Sequence, residues 1–391
     1  PDCPRSAGIA SLHGPYGGSM AHSTRTLPPE PIAELIPGTD FVKPIEQIDD
    51  DEDAVFERII RFLVAKMKKT YRKGSGAEVP DVFEDGHGLT TALVRGTLTI
   101  TQEDLERLPE PLRVGLFAEP GAYQAIARFN VIDTTEGIVM GPRLSVKVYA
   151  LGREIDLLFV PFVPAPLPNF FLRDASDMTF VAGMPGSLMS PTGVATAARL
   201  LGRNIRGFNG YAKKMITVGP FGTRYSSALP YRLGDAAAKW LLEPDQGHAI
   251  PKPTDRHYAV HQAREVGRWF TDGGQDISFR LAAQVATAGG TPGPISAVED
   301  GELRWDEQLN PLFAVGTLHF PAVELAAMID DFGPPSAWPN LLRFNIGNTL
   351  VEHMPLGQNN RLRMRLYEAH SNARRAHLHG DEVPTMSSPF N

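Results

Sequence analysis

The chain has 391 residues, 42% of them apolar and 21% charged, with a formal net charge of -7. That length can bury a large core, as one large domain or two ordinary ones, and one large domain is the simpler reading. The acidic balance gives no electrostatic reason to expect nucleic acid as a partner, and a single cysteine, Cys3, excludes an intrachain disulfide.

Residues 1–49 read as a leader and arm. The opening "PDCPRSAGIASLHGPYGGSM" lacks the basic start and apolar run of a secretory signal, so residues 1–20 are taken as a tail outside the fold and a cytoplasmic location is expected. Residues 21–49 are proline-rich and aperiodic, which predicts an extended or disordered lead able to embrace a neighbouring copy. Residues 50–75 then carry Val55, Ile59, Phe62, Leu63 and Met67 at helical spacing, with acids in the first turn and lysines in the last. This is an amphipathic helix, expected to pack on the core rather than act as a lid.

Residues 76–391 read as one domain. Strands are expected at 93–100, 122–131, 143–150, 154–160, 276–287 and 311–320, where β-branched and aromatic residues alternate between Gly/Pro turns. Helices are expected at 102–118, 191–203, 321–331 and 361–379. Many short strands with turns and long connections predict an α+β chain built on an antiparallel barrel or sandwich. The longest apolar stretch, 156–172, contains Pro161, Pro164, Pro166 and Pro168, which forbid a regular helix, so no transmembrane segment is expected there.

The sequence has no Walker loop, strand-GxGxxG-helix, HExxH, G-x-S-x-G elbow or CxxC pair. His377 and His379 read as a solvated helix end rather than metal ligands. The informative stretch is "RLRMRLYEAHSNARRAHLHG", residues 361–380. On a helix, Arg363, Tyr367, His370 and Arg374 share one face, so two guanidiniums flank one phenol. A free phenol loses its proton only near pH 10, at about its solution pKa. Fixed positive charge favours the phenolate, and arginine supplies that charge without ever losing its own proton. A phenolate oxygen is a hard anionic donor suited to ferric iron. Alone, the pattern R-x3-Y-x6-R is equally a basic surface helix with an exposed tyrosine.

Other stretches accompany it in order: "DGHGLTTALVRGTLTI" around His87, "AIARFN" (125–130), "PRLSVKVY" (142–149), "PNFFLRD" (168–174), "SSALPYRLGDAAAKW" (226–240) and "VEHMPLGQNNRLRMRLYEAHSNAR" (351–374). Taken together over residues 80–380 they resemble the haem catalase superfamily, most nearly its smaller catalase-related peroxidases. The resemblance implies a catalase-type antiparallel β-barrel with surrounding and C-terminal helices, and haem b as cofactor. It implies Tyr367 as the iron ligand, Arg363 as the guanidinium bonded to its oxygen, and Arg128 and Arg374 as partners of the haem propionates. His87 would be the distal acid-base residue, Asn130 would hold its tautomer where the family usually has serine, and Phe170 and Phe171 would wall a dry pocket. The family commonly forms dimers or tetramers, so a homo-oligomer is expected.

Two positions depart from the family pattern. Counting back without a gap from Phe170, the distal asparagine falls on Ala165, with Asn169 near but shifted, and Glu84 stands three residues before His87 where a propionate arginine is usual. Loss of that amide should weaken dismutation while sparing peroxidase-type turnover. The resemblance therefore implies a peroxide-metabolising haem oxidoreductase with an unknown electron donor and weak or no catalase activity. Because 157–168 would line the approach with aliphatic groups, an enzyme rearranging a fatty-acid hydroperoxide is a second expectation. A barrel that binds haem or lipid without turnover is a third.

Overall fold

The computed structural model describes residues 27–379 apart from 74–88, 134–138, 166, 185–190, 202–206, 208–209, 212–217, 246–264, 267, 270–274 and 333–341. Its strands, in chain order, are β1 Leu89–Ile100, β2 Gly121–Asp133, β3 Val139–Ala150, β4 Arg153–Pro161, β5 Tyr225–Ser226, β6 Tyr231–Leu233, β7 Ala236–Pro244, β8 Ile277–Val285 and β9 Leu312–Phe320. They pair in the order β5-β4-β3-β2-β1-β9-β8-β7-β6, and a further pairing of β5 with β7 closes eight of them into a ring. Every pairing is antiparallel. The chain is thus α+β, an antiparallel barrel with helices around it.

The helices are α1 Glu52–Lys73, α2 Gln102–Arg107, α3 Asp177–Val181, α4 Pro191–Arg199, α5 Ser296–Glu299, α6 Leu325–Phe332 and α7 Gln358–His379. A helix over 102–118 does not form. Thr101 caps α2 with a reciprocal bond to Asp104, but Pro109 and Pro111 end it, and only two short 3-10 turns follow, at Glu110–Leu112 and Gly115–Phe117. The stretch 226–240 is likewise not one strand but parts of β5, β6 and β7, separated by tight turns. α7 begins three residues earlier than its charge pattern indicates.

α1 buries its apolar stripe as expected of a packed helix. Phe56 and Ile59 join Ala175, Ala182, Met184 and Leu362 of α7 in a small second core, with Val55, Phe62 and Leu63 packed against it. The arm is extended along the barrel end: Val42 donates its N–H to the Ala286 carbonyl and Ile45 to that of Pro294. Among the described residues no helix is long and apolar enough to cross a membrane.

Alternation along β2 and β3 decides where polar groups lie. Ala125, Ala127 and Phe129 pair with Val148, Val146 and Leu144 on one face, which belongs to the main apolar core. Arg128 pairs with Ser145 and Asn130 with Arg143 on the other, as does Ile126 with Lys147. That second face is covered rather than solvated: Arg128, Asn130, Ser145 and Lys147 are all buried. The 342–348 segment lies over part of it, the Asn345 N–H and the Asn348 amide both donating to Asp156 of β4. Lys147 reaches the same carboxylate at 2.7 Å.

Candidate functional site

α7 carries the arginine–tyrosine face into the interior. Tyr367 is 7% exposed, and the Arg363 Nε, one turn earlier, donates to its hydroxyl oxygen at 3.0 Å. The guanidinium is held from the other side as well, its Nη1 donating to Asn360 Oδ1 at 2.9 Å. Asn360 is itself fixed, because its amide donates to the carbonyls of Pro230 and Leu356. A chain of bonds therefore runs from the barrel through Asn360 and Arg363 to the Tyr367 oxygen.

A second phenol stands beside the same arginine. Burial pushes Tyr231 up to about 12, with Arg363 pulling the other way. Burial alone would make Arg363 easier to deprotonate; the phenols of Tyr367 and Tyr231 offset it, and the net effect is a proton held more tightly than usual. Arg143, on the covered face of β3, feels both groups. Burial lowers it to about 10, Tyr367 acts to raise it and Arg363 to lower it.

On β2, Arg128 has no exposed surface; its guanidinium sits 4.5 Å from the Phe344 ring centroid. Asn130 is buried, and neither its amide nitrogen nor its amide oxygen has a hydrogen-bond partner among the described residues. A buried amide in that state is destabilising unless something satisfies it. His87 lies outside the described residues, two positions before β1, whose Thr90 pairs with Asn130. Arg374 falls within α7, but its side chain lies outside what is described. His370, on the same helix face, is buried.

Phe170 and Phe171 stack with ring centroids 4.8 Å apart and are half-buried. Their segment is tied to the first turn of α7, where the Asn359 amide donates to the carbonyls of Leu172 and Arg173. Ala165 is exposed. Asn169 directs its amide nitrogen to the Ala228 carbonyl. Of the aliphatic side chains expected to line an approach, Leu157, Leu158 and Val163 are buried, and Val160 and Leu167 are half-buried.

The structure thus brings together Arg363 and Tyr367, and it adds Asn360, Tyr231 and Arg143, which sequence reasoning did not single out. Arg143 was within reach of the alternation in "PRLSVKVY": polar Arg143, Ser145 and Lys147 alternate with apolar Leu144, Val146 and Val148. A strand whose polar face is that rich in charge is either solvated or facing a site. Tyr231 carried no such signal, because its neighbour Arg363 is remote in sequence. Chemically, the arrangement can hold a negative charge on the Tyr367 oxygen and offer that oxygen to a hard cation. Among the described residues no group of three or more His, Cys, Asp or Glu side chains is placed to hold a metal ion.

No family model matches the sequence, and no curated protein matches it. Many solved structures are similar in fold, three catalases among them. A fungal catalase is 14% identical, over 75% of this chain and 59% of its own, at a TM-score of 0.49. Catalase A from Saccharomyces cerevisiae is 15% identical, over 72% and 59%, at 0.49. A bacterial catalase is 14% identical, over 95% and 67%, at 0.46. The chain spans about three-fifths of the length of the fungal and yeast catalases.

Proposed function

We propose that the chain is a haem enzyme that reduces peroxides at the expense of an electron donor, with the Tyr367 phenolate as the protein ligand of ferric haem b. The observation that carries this reading is the Arg363 Nε bond to the Tyr367 oxygen at 3.0 Å in a buried setting. An anionic phenol oxygen gains more from such a partner than a neutral one does, and a guanidinium held by Asn360 is a cation that stays charged. The other residues fit the group too. Arg128 is a buried guanidinium on the facing strand, suited to a propionate, and Arg374 would take the second. The amide of Asn130, which has no hydrogen-bond partner among the described residues, offers a donor and an acceptor.

When bound, the haem supplies the two electrons that split the O–O bond. His87 would take a proton from the peroxide and return it to the departing oxygen, an acid-base task suited to an imidazole. Asn130 would fix the tautomer of the imidazole that does this work. Phe170 and Phe171 exclude water from the reacting oxygens. Overall, hydrogen peroxide with two electrons from a donor and two protons would give two waters.

Peroxidase action is favoured over dismutation by the amides near residue 165. Ala165 is exposed and Asn169 is committed to the Ala228 carbonyl, so neither is placed to orient a second hydrogen peroxide. With haem-loaded protein, hydrogen peroxide and a one-electron dye, the expected result is dye oxidation with little oxygen released. Oxygen as the main product would overturn the peroxidase reading in favour of dismutation. Loss of the conjugated diene from a fatty-acid hydroperoxide with no donor present would overturn it in favour of rearrangement.

A further inference from the structure

We infer that Phe344 and Asn345 are positioning residues that hold the Tyr367 helix at a set distance from the strand wall carrying Arg128, through a buried anchor at Asp156. The inference rests on Tyr367 and Arg128 both holding the haem, and it names the part of the chain that keeps the two in register.

Asp156 of β4 is buried, and its carboxylate takes the Asn345 N–H at 2.9 Å, the Asn348 amide at 2.8 Å and the Lys147 Nζ at 2.7 Å. In return the Asp156 N–H donates to the Asn348 carbonyl at 2.8 Å. The 342–348 segment is therefore bonded to the barrel in both directions, and a buried carboxylate with three donors is costly to disturb.

From that anchor the segment reaches both halves of the site. On one side the Phe344 ring centroid lies 4.5 Å from the Arg128 guanidinium and 5.4 Å from the Lys147 Nζ, and the Leu342 carbonyl accepts from the Arg128 Nη1 at 3.5 Å. On the other, the Asn345 amide nitrogen donates to the Met364 carbonyl of α7 at 3.0 Å. Its Oδ1 accepts the Gly347 N–H at 3.0 Å, so the orientation of the amide is set at both ends. Gly347 brings the backbone against the same helix residue, since an added Cβ would stand 3.2 Å from the Met364 sulfur. Arg343 pairs with Glu368 at 3.5 Å. Met364 and Glu368 are about one helical turn apart with Tyr367 between them, so the segment grips α7 on the turn that carries the phenol. The ion pairs of Arg361 hold the start of α7 to Glu46, Glu52 and Glu299, whereas the 342–348 segment touches both the phenol-bearing turn and Arg128.

The test titrates haem and its propionate dimethyl ester into the haem-free chain and reads Kd from the absorbance change. Both ligands can meet Tyr367, but only haem carries the charges for Arg128. In Asn345→Ala and in Phe344→Leu, the parent's preference for haem over the ester should fall about tenfold, the scale of one hydrogen bond to a charged group. Asn345→Leu and Phe344→Met, which keep more of the volume, replace them if those chains do not fold. A preference equal to the parent's would overturn the inference, because general damage to the fold weakens both ligands alike. That result would leave ligation by Tyr367 standing, which the spectrum of the loaded parent beside Tyr367→Phe decides. A parent that binds neither porphyrin would overturn that reading and this inference together.

Discussion

At the scale of residues, the buried polar side chains of this protein are fixed in one protonation state by where they sit. Arg363 is the clearest case at the site, and His353 is its counterpart in the barrel. The His353 ring is 3% exposed and its Nε2 accepts the Leu116 N–H at 2.9 Å, between the rings of Phe117 and Trp240. An accepting nitrogen cannot carry a proton, and burial pulls the imidazole down to about 4. The unfolded chain binds that proton more tightly than the folded one, so His353 favours folding fully above about pH 6.5 and loses that contribution as pH falls towards 4. The loss is about 3 kcal/mol. Urea unfolding of the parent and of His353→Gln at pH 7 and pH 4 should show the parent losing that much more. Equal losses in both would remove His353 from acid sensitivity. The local spacing of Arg363 and Tyr367 was legible in sequence because a helix brings i and i+4 together. Arg143 and Tyr231 were not singled out, because cross-strand and helix-to-barrel neighbours have no fixed spacing.

At the scale of elements, what places Tyr367 is the way α7 begins. Arg361 reaches Glu46 of the arm at 2.6 Å, Glu52 of α1 at 2.7 Å and Glu299 of α5 at 3.1 Å. The carboxylates of Glu46 and Glu299 also accept the N–H groups of Gly357 and Gln358, stabilising the positive end of the helix. Gly357 turns the chain into α7 at φ +83, with the position of an added Cβ only 1.9 Å from the Val298 carbonyl oxygen. Gly357→Ala therefore combines a left-handed backbone with a backbone clash. It is expected to cost more than about 2 kcal/mol by chemical unfolding. A cost within about 0.5 kcal/mol, the range of ordinary surface changes, would contradict this account of the helix start. Strands β1 to β4 were readable from alternation, and α1 from its stripe. The extent of α2 was overread because apolar spacing continues past Pro109 and Pro111, which the backbone does not follow.

At the scale of the whole molecule, the barrel closes through the two-residue strand β5 pairing with both β4 and β7. No sequence pattern announces so short a strand, so the strand pattern left barrel and sandwich open, and the barrel was legible through the resemblance that implied it. Closure commits the apolar face of β2 and β3 to the core, and the 342–348 segment covers part of their polar face, with Phe344 against Arg128 and Lys147. Arg128 and Asn130 thereby become buried groups, with half-buried Arg143 paired to Asn130 beside them, an arrangement that costs stability unless partners offset it. The most direct measurement is the ferric absorption spectrum of the haem-loaded protein beside that of Tyr367→Phe. A high-spin spectrum with charge-transfer bands that is altered or lost in the variant is the expected result. An identical spectrum from both proteins, or a parent chain that takes up no haem, would contradict ligation by Tyr367.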